Sequence, residues 1–157
     1  MDKRIQVVYD ATSHRIIGRL MKGIDLFTGI IEICKEYGVE ASQFQCIGSL
    51  EHATYVQLEQ NDNGSLEYSK KVVSETPVEL LSGNGFVGYS DAGELDVHFH
   101  ALFVDCNKKI SGGHFLLGEN PIAVTMELII LPVGNTNMKR RPDEITGMPV
   151  FQFTEKG

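Results

Sequence analysis

Short runs of apolar residues at positions 5–9 and 15–21, separated by the polar turn Asp10-Ala11-Thr12-Ser13, predict a pair of strands at the start of the chain. The period then changes. Leu26, Ile30, Ile33, Cys34 and Tyr37 fall at i, i+4, i+7, i+8 and i+11, which is one face of an amphipathic helix over about residues 26–37. Asp25 is suited to cap its N-terminus and Gly38 to follow its C-terminus. Beyond the helix, strands are predicted at 43–47, 53–59, 66–73 and 78–83, with turns at Asn61-Asp62-Asn63-Gly64, Asn84-Gly85 and Asp91-Ala92-Gly93. Residues 95–104 form a long strand. Residues 122–131 form another, whose nearly continuous apolar character predicts burial on both faces. The order β-β-α followed by many strands predicts an α/β chain of the α+β kind: a mixed, mainly antiparallel sheet with one main helix packed on it. Without repeats or linkers, one domain is expected over 1–137, followed by a tail over 138–157 that is partly ordered through Met148-Pro149-Val150-Phe151.

Composition narrows the class. With 42% hydrophobic and 22% charged residues in 157, the chain has apolar material for a core without disulfide staples. Cys34, Cys46 and Cys106 are an odd number with no C-x-x-C, which argues against a disulfide framework and a cysteine zinc site, and fits a reducing compartment. The opening Met1-Asp2-Lys3-Arg4-Ile5-Gln6 lacks the apolar core of a signal peptide, and the longest apolar stretch is too short to span a bilayer. A cytoplasmic location away from membranes is the expectation. The net charge of −7 opposes approach to phosphate, so nucleic-acid binding needs a local basic patch. Lys139-Arg140-Arg141 is the one dense candidate, and a solvated loop is its ordinary alternative.

The chemistry concentrates in the strand at 95–104. Side chains alternate between faces, so Val97, Phe99, Ala101 and Phe103 share one face, while Asp96, His98, His100 and Leu102 share the other. His98 and His100 therefore point the same way, roughly 7 Å apart along the strand. The chain then turns through a polar loop and returns with Gly112-Gly113-His114. If that loop has an odd number of residues centred on Asn107, Asp105 faces Lys109 and His100 faces His114, which gathers all three imidazoles; an even loop sends His114 to the opposite face. Three neutral imidazoles on rigid strands suit a divalent transition metal, zinc foremost. The alternative is a set of structural histidines bonded to backbone carbonyls. Glu127 lies in the most apolar strand, where an unpaired carboxylate is costly. It could serve a histidine N–H, a metal-bound water, or an ion pair with Arg19. Phosphate-binding, nucleophile-elbow and H-E-x-x-H motifs are missing from the sequence.

The run 95–117, with H-x-H, a polar turn and Gly112-Gly113-His114, resembles the PPC domain (plants and prokaryotes conserved). Arg19-Leu20 with Gly23 and Asp25 before the helix, Ile47-Gly48-Ser49-Leu50 with Ala53, Val78-Glu79-Leu80-Leu81-Ser82-Gly83, and Ala123 with Glu127-Leu128 extend the resemblance over most of the chain. It implies a homotrimer, with the motif histidines near subunit interfaces and able to hold a metal in some prokaryotic members. It also implies a description as DNA-binding. Plant members carry an AT-hook before the domain; here Arg140-Arg141-Pro142 lacks the glycine of an Arg-Gly-Arg-Pro core. Three function classes follow: a trimeric assembly module that binds itself and a protein partner, a metal-dependent enzyme using His98, His100, His114 and Glu127 as base, and direct DNA binding through the basic run.

Overall fold

The computed structural model describes all 157 residues, Met1–Gly157. Two opening strands, β1 (Ile5–Asp10) and β2 (Arg15–Met21), pair as a hairpin and lead into the helix α1 (Leu26–Glu36). Asp25 caps the helix: its Oδ1 accepts from the backbone N–H of Phe27 and Thr28, and its Oδ2 accepts from that of Asn120. Tyr37 is the C-cap, and Gly38 follows at φ 63°, a conformation that glycine adopts without strain. Leu26, Phe27, Ile30, Ile33 and Cys34 are buried, so the helix face read from the period is the one that packs.

The remaining strands are β3 (Ser42–Leu50), β4 (Thr54–Val56), β5 (Leu58–Gln60), β6 (Leu66–Tyr68), β7 (Val72–Val73), β8 (Val78–Tyr89), β9 (Leu95–Asp105), β10 (Ile110–Phe115), β11 (Ile122–Pro132), β12 (Thr136–Pro142) and β13 (Pro149–Glu155). The main sheet runs in the order β1-β2-β11-β3-β8-β9-β10-β4-β7 and is antiparallel throughout that path. The one parallel contact joins β12 to β8 at Lys139 and Tyr89, which makes the sheet mixed but mainly antiparallel. The short hairpin β5–β6 stands as a separate two-stranded piece.

Helix α1 packs against β9 and β1 on the inner face. The core gathers there: Phe99 stacks on Phe44 with ring centroids 5.4 Å apart and meets Phe27 edge-on at 5.9 Å. The four residues Val97, Phe99, Ala101 and Phe103 are all buried, as the alternation predicts. No helix is long and apolar enough to cross a membrane.

Three expectations are corrected. Asn84-Gly85 is no turn; β8 passes straight through it. Gly85 is small because a Cβ there would stand 2.5 Å from the Phe44 ring and 2.6 Å from the His98 carbonyl oxygen, so the glycine serves packing rather than chain reversal. The strand at 122–131 is buried on one face only: Met126, Leu128 and Ile130 are inside, while Glu127 is exposed. The last residues form a complete β12–β13 hairpin, docked through buried Met138 against Gly88.

Candidate metal centre

The histidine site begins with the hairpin between β9 and β10. Asp105 Oδ1 accepts from the backbone N–H of Asn107 and of Lys109, both at 2.8 Å, and Lys108 takes a φ of 64°. Three residues, Cys106, Asn107 and Lys108, therefore close the loop, and the odd count sets the register. Ile110 faces Val104, Gly112 faces Leu102, and His114 faces His100. Gly113 lets β10 fit between its neighbours, since a Cβ there would stand 2.5 Å from the Val56 carbonyl oxygen.

His98, His100 and His114 converge on the outer face, opposite the helix. Nε2 of His98 lies 3.0 Å from Nε2 of His100, which lies 3.2 Å from Nδ1 of His114. All three ligand atoms fall within 4.8 Å of one another. A neutral imidazole nitrogen carries one proton or one lone pair, not both, so Nε2 of His100 meets its two neighbours with a single site. A shared cation gives all three lone pairs one target. Nitrogens bound at 2.0–2.1 Å to a tetrahedral zinc stand roughly 3.3–3.4 Å apart, close to the two spacings of 3.0 and 3.2 Å that His100 makes with its neighbours. The residues fit a divalent metal.

The electrostatics keep the rings neutral. Burial, then Arg140, then His100 push His98 down to about 4, against a partial opposing effect of Asp96. Burial, then His98, His100 and Arg140 push His114 down to about 4. Burial and Arg140 lower His100 as well. The thiols play no part: Cys34 and Cys46 are buried elsewhere, with Cys34 pushed up to about 12 by that burial, and Cys106 is exposed at the hairpin loop.

Glu127 does not join the site. It is on the outer face, but β3 and β8 lie between its strand and β9, and three strand spacings are roughly 14 Å. It also forms no ion pair with Arg19, although the two are cross-strand partners. The Arg19 Nε donates to Gln6 Oε1 at 3.0 Å, and the Glu127 carboxylate is left in solvent, where it needs no partner.

The basic run is likewise spoken for. Lys139 and Arg141 both contact Asp91, at 3.4 and 3.2 Å, and Arg140 contacts Asp96 at 3.3 Å. Arg140 and Phe151 of the C-terminal hairpin, and Tyr68 of β6, are neighbours of the triad that the sequence did not reveal. The only signal was the phase of β12, which puts Arg140 on the opposite face from Lys139 and Arg141.

A family model described as the Plants and Prokaryotes Conserved (PCC) domain matches residues 9–134. Among curated proteins, none matches this chain. Solved structures share the fold. The metal-containing protein of Archaeoglobus fulgidus is 26% identical with a TM-score of 0.75, over 96% of this chain and 99% of that one. A plant- and prokaryote-conserved protein of Pyrococcus horikoshii is 23% identical with a TM-score of 0.73, over 97% and 96%. A candidate DNA-binding protein of Bacteroides thetaiotaomicron is 13% identical with a TM-score of 0.75, over 96% and 99%.

Proposed function

The chain belongs to the Plants and Prokaryotes Conserved domain family, and on that premise we propose that it is a trimeric assembly module whose His98, His100 and His114 hold a divalent transition metal, zinc by the donor set. The observation that carries the metal is the convergence of three imidazole nitrogens at 3.0 and 3.2 Å on rigid strands. The description of the Archaeoglobus fulgidus relative as metal-containing agrees with it. Held by His98, His100 and His114, such an ion would supply Lewis acidity.

Self-association is supported by the outer face. Ile17, Ile47, Leu81 and Leu102 are about half exposed there in the isolated chain. A shallow depression of about 550 Å³ is lined by Ile17, Ile47 and Leu81 together with Gln45, Ser82, Asn84 and Ile129. Exposed apolar residues gathered on one sheet face and rimmed by polar ones are a mark of an interaction surface.

Metal-dependent catalysis is the second reading, favoured by the count of three protein ligands, the number found in catalytic zinc sites. Its base is not Glu127 of the same chain, which stands too far away. Direct DNA binding has less support, because each cation of Lys139-Arg140-Arg141 is paired with a carboxylate.

Cobalt(II) substitution tests the metal reading. A tetrahedral site with nitrogen ligands gives intense visible bands at one cobalt per chain. The weak spectrum of octahedral aqueous cobalt at all loadings would contradict it.

A further inference from the structure

Arg140 stands at one end of the histidine row. Asp96, His98 and His100 follow one another on the outer face of β9, and Arg140 reaches that row from β12. Its side chain is only 15% exposed. The guanidinium carbon lies 5.9 Å from the centre of the Phe151 ring, and that ring lies 6.4 Å from the ring of His98. On the opposite side of the triad, the Tyr68 ring is 5.2 Å from that of His114. The triad is thus flanked by two aromatic rings and one cation.

That cation has donors to spare. Its Nη1 reaches Asp96 Oδ2 at 3.3 Å and its Nε reaches the Pro149 carbonyl at 3.4 Å, both long, and its Nη2 makes no hydrogen bond. Asp96 meanwhile spends its Oδ1 on the backbone N–H of Val97 at 2.8 Å. Asp96 gives the guanidinium one carboxylate partner at the long distance of 3.3 Å, and the Nη2 edge, beside ligands that are themselves uncharged, keeps N–H groups open to a second negative partner. The planar guanidinium fork can receive both oxygens of a carboxylate, and the flanking rings of Phe151 and Tyr68 suit the organic part of such an anion better than an inorganic phosphate.

We propose that the histidine centre takes a small organic carboxylate, recognised by the free donors of Arg140 and flanked by the rings of Phe151 and Tyr68. The inference rests on the triad holding a metal, which supplies further positive charge, while the Arg140 contact is a separate determinant. Benzoate and its neutral counterpart benzamide are the probes. They are titrated into cobalt(II)-loaded protein while the visible bands are followed, and into metal-free protein by calorimetry. Benzoate is expected to shift the bands, with benzamide at least about tenfold weaker. Arg140→Gln should weaken benzoate at least about tenfold with cobalt content unchanged. Equal benzoate affinity in Arg140→Gln, equal affinity for benzamide, or no benzoate binding at millimolar concentration overturns the proposal. If Arg140→Gln loosens the C-terminal hairpin, shown by a lowered melting temperature, Arg140→Lys decides: it should keep the preference for benzoate over benzamide, and loss of that preference in a folded protein counts against it. A wild-type protein that takes up no cobalt sinks the metal reading instead, and the metal-free titrations then decide the Arg140 site by the same comparison.

Discussion

His114 faces His100 across β9 and β10, with its Nδ1 3.2 Å from the His100 Nε2. The contact depends on a three-residue loop at the far end of the hairpin, where Asp105 holds the N–H groups of Asn107 and Lys109. A loop one residue longer or shorter turns His114 into the core face and dissolves the triad.

The depressed proton affinities of the triad make stability depend on pH. In the unfolded chain the histidines titrate near 6.5, whereas in the folded, metal-free protein His98 and His114 titrate at about 4. Folding therefore opposes protonation. The stabilising contribution is whole above pH ~6.5 and is lost as pH falls from there through about 4. Melting temperatures of the metal-free protein should fall across that window, and His98→Asn should flatten part of the slope. A wild-type profile level between pH 7 and 4.5 contradicts the assignment.

Gly85 offers a test of the core rather than of the site. Gly85→Ala places a methyl against Phe44 and the His98 carbonyl, and overpacking of that kind costs about 1–3 kcal/mol. Thermal melting should drop by several degrees, roughly 3–10 °C for a chain of this size. A melting temperature within a degree of wild type means that Phe44 moves aside freely.

Association is tested on the outer face. Light scattering of the wild type should give about three times the 17.4 kDa chain mass. Ile47→Asp, at an exposed position that needs no refolding to accept a charge, should shift the mass toward that of the single chain. A wild-type monomer at micromolar concentration rules the trimer out.

Binding to DNA is expected to be undetectable at physiological salt, even with AT-rich duplex. The chain carries −7, and its basic run is paired with Asp91 and Asp96. Submicromolar affinity with a steep inverse salt dependence reverses this conclusion.

Much of this arrangement was legible before the structure. The 3.6-residue period located α1, and the period of two placed Val97, Phe99, Ala101 and Phe103 inside, with His98 and His100 opposite. The pairing of His114 was legible only as a condition, since side-chain direction in a strand depends on parity: an odd loop centred on Asn107 brings it opposite His100, and that is the register of the hairpin. Asn84-Gly85 misled because a glycine needed for close packing and one needed for a turn look alike in sequence. Glu127 misled because an apolar strand reads as buried on both sides even when one face is open to solvent in the chain. Beyond the phase of β12 that separates Arg140 from Lys139 and Arg141, the approach of Arg140, Phe151 and Tyr68 to the triad was not legible. They approach the triad through long-range docking of the β12–β13 hairpin and the separate β5–β6 piece, which no local pattern encodes.

The metal content of purified protein tests the central claim most directly. Wild type, prepared without chelator and reloaded with zinc, should carry about one ion per chain. His98→Ala, His100→Ala and His114→Ala should each fall below roughly one fifth of that, because two imidazoles hold zinc poorly. His14→Ala and His52→Ala, both outside the cluster, should stay at the wild-type level. A wild type that takes up no metal, or three triad variants that each keep a full equivalent, contradicts the account.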